Sequence, residues 1–286
     1  MVRPTHYTVA YEINPWMDRR RPPDTAAAAR QWEGLYRVLT EAMSARVSLL
    51  EPAPGLPDMV FTANAGLIYG DRAVVSNFRY RERQGEAPLF RRWFEEQGLR
   101  TEQLPSDISF EGEGDALFLG DTLFAGYRWR SDARAHTLLS EKFGVRVLSL
   151  ELVDAYYYHL DTCFCPLDAG TAAYYPAAFD EYARKVLAVN VPDLIAVEEA
   201  EAARFACNAV VLGRHVALNT GCPRFAAALR ERGFAPHPTC LDEFLKAGGS
   251  AKCLTLYLDS MARVPKAAAP GEEPEKRRAG RPVSAA

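Results

Sequence analysis

The chain has 286 residues, of which 48% are hydrophobic and 25% charged, and its formal net charge at pH 7 is −3. These values are typical of an ordinary soluble globular enzyme and argue against a disordered or membrane protein. The basic residues are spread along the chain rather than clustered in one stripe, so the positive field that drives nucleic-acid binding is missing. We therefore expect a small-molecule or protein partner.

The N-terminus has no apolar run of signal-peptide length, and no segment approaches the roughly 18 to 20 apolar residues that span a bilayer. We expect a cytoplasmic protein without membrane association. The six cysteines should then remain free thiols, because the compartment is reducing and a chain of this size can build its own core. Cys163 and Cys165 miss the C-x-x-C spacing of zinc sites, so no metal site is predicted.

The first predicted elements are a helix over residues 25–45 and a strand over residues 47–52, which together complete one repeat unit at the start of the chain. Paired apolar strands joined by tight polar turns come next. Glycine or aspartate at these turns supplies the backbone conformations that hairpins need. The four predicted hairpins cover residues 65–78, 115–127, 162–176 and 208–221.

Amphipathic helical patterns lie between the hairpins, and short strands follow several of them. These helices are predicted over residues 87–99, 132–144, 177–188 and 224–233. The polar residues that lead the hairpins, and the first residue of a fifth apolar strand, recur at intervals of 45 to 51 residues. They are Asn64, Asp115, Asp161, Asn208 and Cys253.

A unit of hairpin, helix and strand cannot bury its own apolar face, so about five such units are expected to close into an α/β propeller-like ring. The leading residues should then converge on a central cavity. We predict one such domain over residues 1–261. Residues 262–286 are rich in proline, alanine and charge, and we predict a disordered tail without a role in the site.

Cys253 follows flexible glycines in KAGGSAKCLTLYL, at the junction of a loop and a predicted strand. A lone cysteine is by default a small buried hydrophobe. Glycines, however, allow close backbone approach to a ligand, and Lys252 or a nearby histidine could favour the thiolate. Cys253 is therefore a candidate nucleophile.

His159 stands in YYYHLDTCF, two residues before Asp161, and a strand would place both side chains on one face. Imidazole exchanges protons near pH 7, and a neighbouring carboxylate can fix its tautomer or bind a cationic substrate. The alternative is a histidine that is merely hydrogen-bonded in a half-buried strand.

Carboxylates are concentrated in FEGEGDALF, which holds Glu111, Glu113 and Asp115 within five residues. They form either a solvated acidic turn or, because the flanking residues are apolar, a buried group that needs a cation such as a substrate guanidinium. In LPDMVFTANAGL, Asp58 and Asn64 bracket an apolar stretch. Asp58 can also be read as a simple turn residue.

The motifs LPDMVFTANAG, FEGEGDALF, YYYHLDTCF and GGSAKCLTL, in this order over nearly the whole chain, resemble the guanidine-modifying or pentein superfamily. That superfamily includes arginine deiminase, dimethylarginine dimethylaminohydrolase and glycine amidinotransferase. The resemblance implies a pseudo-symmetric ring of five ββαβ units that hydrolyses carbon–nitrogen bonds of linear amidines, such as a guanidino substrate, without metal or organic cofactor.

The same resemblance implies that Cys253 is the nucleophile, that His159 is the general acid and base, and that Glu111 is the carboxylate that binds the guanidinium. An extra residue in FEGEGD leaves Glu113 as an alternative to Glu111. Further candidates for holding substrate nitrogens are Asp58, Asp115 and Asp161.

Asn64 stands where deiminases and dimethylarginine hydrolases usually carry aspartate, which resembles the arginine dihydrolases. Those enzymes convert arginine to ornithine with release of ammonia and carbon dioxide. Asparagine can donate to a neutral ureido oxygen and accept from its N–H, so a second hydrolysis becomes reasonable. Arg83 and Arg130 match the arginines that contact the substrate carboxylate in that group, although each could instead be a solvated surface arginine.

Arginine dihydrolase is therefore the expected activity. Dimethylarginine hydrolysis, arginine deimination and a non-catalytic binding ring are the alternatives. The sequence leaves homo-oligomer formation open.

Overall fold

The computed structural model of the chain describes residues 1–258, so the predicted tail lies outside the described residues. Helix α1 (Thr25–Arg37) is capped by Asp24, whose carboxylate accepts a 2.7 Å hydrogen bond from the amide of Ala27. It continues as a π-helical turn, Val38–Ala42, so the predicted helix over residues 25–45 is confirmed except for its last three residues. None of the helices in this part of the chain combines the length and apolar character needed to cross a bilayer.

Four units follow, and each forms its own three-stranded sheet. In every sheet the first two strands pair antiparallel as a hairpin, and the third joins the second in parallel. The strands are β1 (Gly66–Tyr69), β2 (Arg72–Val75) and β3 (Arg100–Glu102); β4 (Ala116–Leu119), β5 (Thr122–Tyr127) and β6 (Arg146–Glu151); β7 (Phe164–Pro166), β8 (Thr171–Tyr174) and β9 (Asp193–Ala196); β10 (Val210–Leu212), β11 (His215–Asn219) and β12 (Ala235–Thr239).

A helix connects the second and third strands of each unit, as a parallel connection requires. The connecting helices are α2 (Arg81–Gln84) and α3 (Ala87–Glu96), α4 (Arg134–Phe143), α5 (Glu181–Asn190) and α7 (Pro223–Glu231), whereas α6 (Glu199–Ala202) follows β9 and α8 (Asp242–Leu245) follows β12. The four predicted hairpins and the four predicted helices between them are thus confirmed.

The core lies between each sheet and the helices that cover it. In the first unit, Phe90 and Phe94 of α3 are buried against Val75 of β2 and Met59. Their spacing of four residues places both rings on one face of the helix. The apolar periodicity read from the sequence is therefore the face that packs on the sheet.

The fifth unit differs from its prediction. The expected strand over residues 47–52 is reduced to a single bridge between Val2 and Leu50. The expected strand from Cys253 is absent from the described residues, since the backbone turns back on itself there, with the amide of Thr255 bonded to the carbonyl of Lys252 at 3.0 Å. These local bonds use the groups that a strand ladder would need.

The segments that head the units form short 3-10 turns that meet at the centre of the molecule. They are Thr62–Ala65, Gly112–Gly114 and Leu160–Thr162. A Cβ on Gly114 would lie 2.2 Å from Nδ2 of Asn64 and 3.3 Å from the ring of His159, so only glycine allows this approach. His159 and Asp161 lie at one of these turns, before β7, and not on one face of a strand as predicted.

Candidate active site

A small cavity lies where the unit heads meet the N-terminal segment. Cys253 and His159 share the cavity, as the sequence reasoning requires. The predicted site residues that line it are Asp58, Asn64, Arg83, Arg130, His159 and Cys253.

The thiol of Cys253 is buried between two polar groups. Its Sγ donates to Oδ2 of Asp161 at 3.3 Å and accepts from Nδ2 of Asn208 at 3.1 Å. Burial raises the pKa of the thiol well above its usual value, and the carboxylate of Asp161 raises it further, whereas Asn208 opposes the shift. The resting sulfur is therefore protonated and needs a nearby group to take its proton.

Asp161 is suited to hold that proton. Burial raises the pKa of its carboxyl group to about 7, against the opposing effect of Lys252. Its Oδ1 makes no hydrogen bond within residues 1–258. A carboxyl group that titrates near neutral pH beside a thiol can accept and return a proton.

His159 is oriented by Glu111. The Nε2 of the imidazole donates to Oε2 of Glu111 at 2.8 Å, and both side chains are buried. No hydrogen bond reaches the Nδ1 of His159 from elsewhere in the described chain. Since a proton on Nε2 leaves Nδ1 as the acceptor of the neutral ring, Glu111 fixes the tautomer that can take a proton.

Glu111 lies directly behind His159. It does not line the cavity, and its Oε2 also accepts from Nη1 of Arg130 at 3.0 Å, while Oε1 accepts from the amide of Arg79 at 3.2 Å. Burial alone would raise the pKa of Glu111, but Arg130 and His159 hold it well below the usual range. The geometry favours Glu111 as the partner of His159 over direct contact with a guanidinium.

Arg130 and Arg83 are buried, not solvated, and both line the cavity. Arg83 forms a bidentate pair with Glu86 at 2.9 and 2.8 Å, and its Nη1 donates to Oδ1 of Asn64 at 2.7 Å. This contact turns the amide of Asn64, so that its Nδ2 faces the carbonyl of Glu111 at 3.4 Å. Asn64 thus presents a donor at the centre of the site.

Asp58 is the acidic side chain in the cavity wall. Burial raises the pKa of its carboxyl group, and Arg83 opposes the shift. Its Oδ1 is buried and makes no hydrogen bond of good geometry within the described residues, although the Tyr11 hydroxyl lies close enough to the carboxyl group to lower its pKa. A buried unpaired oxygen is costly, so this atom is a natural contact for a cationic nitrogen.

Asp115 lies behind the cavity, and both of its oxygens are occupied. Oδ1 accepts from the amide of Leu160 at 3.1 Å, and Oδ2 accepts from Oγ of Ser131 at 2.6 Å. The Ser131 hydroxyl in turn accepts from the amide of Glu111 at 3.0 Å. Asp115 therefore supports the turns that carry Glu111 and His159, and its predicted contact with a substrate nitrogen has no support in the geometry.

Glu113, the alternative to Glu111, faces Lys252. The Nζ of Lys252 donates to its Oε2 at 2.8 Å, and neither residue lines the cavity. Lys252 therefore directs its ammonium group at Glu113. The arrangement favours Glu111 over Glu113 as the acid next to His159.

Several residues of the site were not predicted from the sequence, among them Asn208, Glu86, Asn14 and Met17. Two of them could have been found from the sequence. The repeat marks Asn208 as the head of a unit, and the spacing of Glu86 from Arg83 is that of an ion pair on a helix. Asn14 and Met17 line the cavity but belong to no motif. Among the described residues, no group of three or more His, Cys, Asp or Glu side chains is arranged to hold a metal ion.

Comparison with known proteins gives consistent matches. The family model of N,N dimethylarginine dimethylhydrolase, eukaryotic, matches residues 15–258. The bifunctional arginine dihydrolase/ornithine cyclodeaminase ArgZ of Synechocystis sp. is 48% identical over 90% of this chain and 37% of its own length. The N(G),N(G)-dimethylarginine dimethylaminohydrolase of Mycobacterium tuberculosis is 45% identical over 90% of this chain and 84% of its own length.

A crystal structure of the N-terminal domain of ArgZ, a cysteine-to-serine mutant bound to substrate, matches with a TM-score of 0.88 at 46% identity. The match covers 91% of this chain and 97% of that domain, which is described as an arginine dihydrolase from the ornithine-ammonia cycle in cyanobacteria. The chain thus spans little more than a third of the bifunctional relative but nearly all of its N-terminal domain.

Proposed function

Because the chain belongs to the N,N-dimethylarginine dimethylhydrolase family, we propose that it hydrolyses the guanidine group of L-arginine to ornithine, ammonia and carbon dioxide. The observation that carries this proposal is Asn64, held by Arg83 in a cavity that also contains Cys253 and His159. The relative ArgZ, named as an arginine dihydrolase, supports the same substrate.

The first half of the reaction forms a covalent intermediate. Sγ of Cys253 attacks the electron-poor amidine carbon as its proton passes to Asp161. The terminal carbon–nitrogen bond breaks as His159, which carries a proton on Nδ1 in this step, passes that proton to the nitrogen, which leaves as ammonia. Nδ1 is then free to accept a proton. A guanidinium cation beside the sulfur favours the thiolate, which is otherwise disfavoured by burial.

The second half releases the intermediate. His159 takes a proton from water, whose oxygen attacks the same carbon. The carbon–sulfur bond then breaks and returns its electron pair to Cys253. This yields citrulline. A second passage through the same steps releases a second ammonia and leaves the carbamate of ornithine, whose remaining carbon–nitrogen bond breaks as carbon dioxide is lost, which gives ornithine.

Substrate recognition divides between cation and anion contacts. The buried carboxylate of Asp58, whose Oδ1 makes no hydrogen bond of good geometry in the described residues, suits a nitrogen of the guanidinium. Arg83 and Arg130, at the cavity wall, suit the substrate carboxylate. The donor of Asn64 suits the neutral ureido oxygen, which an aspartate in its place would repel.

The proposal is tested by counting products. Purified protein is incubated with arginine, and ammonia, citrulline and ornithine are quantified over time. Two ammonia per ornithine is the expected result, whereas citrulline as the sole end product contradicts the second step. Cys240→Ser is a matched control, because Cys240 is exposed and should leave turnover unchanged.

Dimethylarginine hydrolysis is the second candidate, and the 45% identity to the Mycobacterium tuberculosis relative favours it. Release of dimethylamine from asymmetric dimethylarginine, with no ammonia from arginine, would establish it. No turnover of either substrate would instead favour the non-catalytic ring.

We also propose a cellular compartment and a domain boundary for this protein. All six cysteines are free, and five of them are buried, which supports a reducing cytoplasmic compartment. We assign catalysis to a single domain over residues 1–261.

A further inference from the structure

We infer that Asn208, a residue outside the predicted site, positions Cys253 and stabilises its thiolate. The inference rests on the proposed function for its catalytic meaning, but its physical content concerns the free protein. Asn208 is fully buried at the head of the fourth unit, next to β10. Its side chain makes four hydrogen bonds, which is the full capacity of a carboxamide.

Two of these bonds hold the loop that carries the nucleophile. Oδ1 of Asn208 accepts from the amide of Ser250 at 3.1 Å and from the amide of Cys253 at 3.2 Å. A single oxygen therefore accepts hydrogen bonds from both ends of the turn between the flexible glycines and Cys253. The loop conformation at the nucleophile depends on a side chain 45 residues earlier in the chain.

The other two bonds follow from the first two. Because Oδ1 must face the two backbone N–H donors, the NH₂ group must point the other way. There it donates to the carbonyl of Asp161 at 3.0 Å and to Sγ of Cys253 at 3.1 Å. The opposite amide orientation would set an NH₂ group against two donors, so the sulfur receives a hydrogen bond by necessity.

The bond to sulfur favours the ionised form of Cys253. A donor stabilises a thiolate more than a thiol, because hydrogen bonds to charged acceptors are the stronger ones. Burial and the carboxylate of Asp161 both oppose ionisation of the thiol, whereas the hydrogen bond from Asn208 favours it. We call it a positioning residue, since it acts through Cys253.

Substitution Asn208→Asp separates the two roles. Aspartate has the same shape and keeps an oxygen for the amides of Ser250 and Cys253, but it replaces the donor to sulfur with an acceptor. The thiol titration should move upward by about one to two pH units, which corresponds to one charge-assisted hydrogen bond. At a fixed pH below the titration midpoint, alkylation of Cys253 should slow by roughly 10- to 100-fold.

The assay is the rate of iodoacetamide alkylation between pH 7 and 10, followed by mass spectrometry of the peptide that contains Cys253. The exposed Cys240 in the same sample is the internal reference. Asn208→Ser, which also lacks a donor amide, gives a second variant. Folding is checked by circular dichroism and thermal unfolding.

Asn219 provides the matched control, since it is equally buried and also caps a loop. Its Oδ1 accepts from the amides of Thr220 and Leu241, and its Nδ2 donates to the carbonyl of Arg204. Asn219→Asp should lower thermal stability without slowing alkylation of Cys253.

Slower alkylation of Cys253 in the Asn208 variants alone supports the inference. Wild-type alkylation rates at every pH in a folded Asn208→Asp protein would overturn it, as would an equal effect of Asn219→Asp. Alkylation needs no substrate, so failure of the wild-type protein to turn over arginine would reject the proposed function while leaving this result standing.

Discussion

Replacing Glu111 by glutamine should remove catalysis and much of the stability together. The buried carboxylate compensates the charge of Arg130 at 3.0 Å and orients His159 at 2.8 Å, and glutamine keeps the shape without the charge. Leaving a buried charge without its partner costs about 3–5 kcal/mol. For a domain of this size, that corresponds to a fall in Tm of roughly 6–20 °C.

The effect on activity has a separate origin. Glutamine can present its NH₂ group to Nε2 of His159, which favours the tautomer whose Nδ1 carries the proton and cannot accept one. Loss of a positioned general base lowers the rate by about 10²–10⁴-fold. Single-turnover measurement with excess enzyme reports this chemical step directly.

Glu113→Gln is the matched control, because Glu113 is equally buried and is paired with Lys252 at 2.8 Å. It should destabilise the protein by a similar amount but slow the chemical step less than tenfold. Wild-type single-turnover rates in Glu111→Gln, or an equal loss in Glu113→Gln, would refute the assignment of Glu111.

The pH dependence of stability gives an independent check on Glu111. Its folded pKa lies below the unfolded value, so its contribution is present above about pH 4 and is lost as the pH falls through the folded value. The Tm difference between wild type and Glu111→Gln should therefore be largest near pH 7 and shrink on acidification. An unchanged difference down to pH 3 would show that the carboxylate charge is not what stabilises the site.

Three further substitutions test other parts of the site. Asn64→Asp should form an ion pair with Arg83 and repel the ureido oxygen, so citrulline should accumulate from arginine; ornithine at the wild-type rate would contradict this. Asp161→Asn removes a carboxyl group whose folded pKa, about 7, lies above its unfolded value. The wild-type protein should therefore lose stability as the pH rises from about 4 to 7, and the variant should not. The Tm of the variant relative to wild type should be on the order of several degrees higher at pH 8 than at pH 5. An equal Tm difference at both pH values would show that ionisation of Asp161 does not destabilise the wild-type protein. Gly114→Ala places a Cβ 2.2 Å from Asn64 Nδ2, and it should abolish turnover in a folded protein; normal turnover would mean that the unit heads are not in contact.

The repeat units were accessible from sequence because their signals are local. Hairpin turns at Gly70 and Gly120 have positive φ, as their glycines predict, and the helices show the 3.6-residue periodicity of a face that packs on a sheet. The fifth unit was not accessible in the same way. CLTLYL has the composition of a strand, but Glu113 accepts a hydrogen bond from Tyr257 and thereby competes with any ladder partner at that position.

In the candidate site, too, only local features could be predicted from the sequence. Cys253 and His159 could be proposed as site residues because a thiol and an imidazole are reactive side chains in any fold. The exact role of each acid depends on which partner comes near, and Glu111 reaches His159 across 48 residues. Sequence spacing cannot distinguish that contact from one to a substrate.

The central claim is that Cys253 forms a covalent bond to the substrate in the cavity that it shares with His159. The most direct measurement compares Cys253→Ser with wild type for arginine turnover and, by calorimetry, for arginine binding. The serine variant should bind arginine but release no ammonia. Ammonia release at the wild-type rate by Cys253→Ser would contradict it.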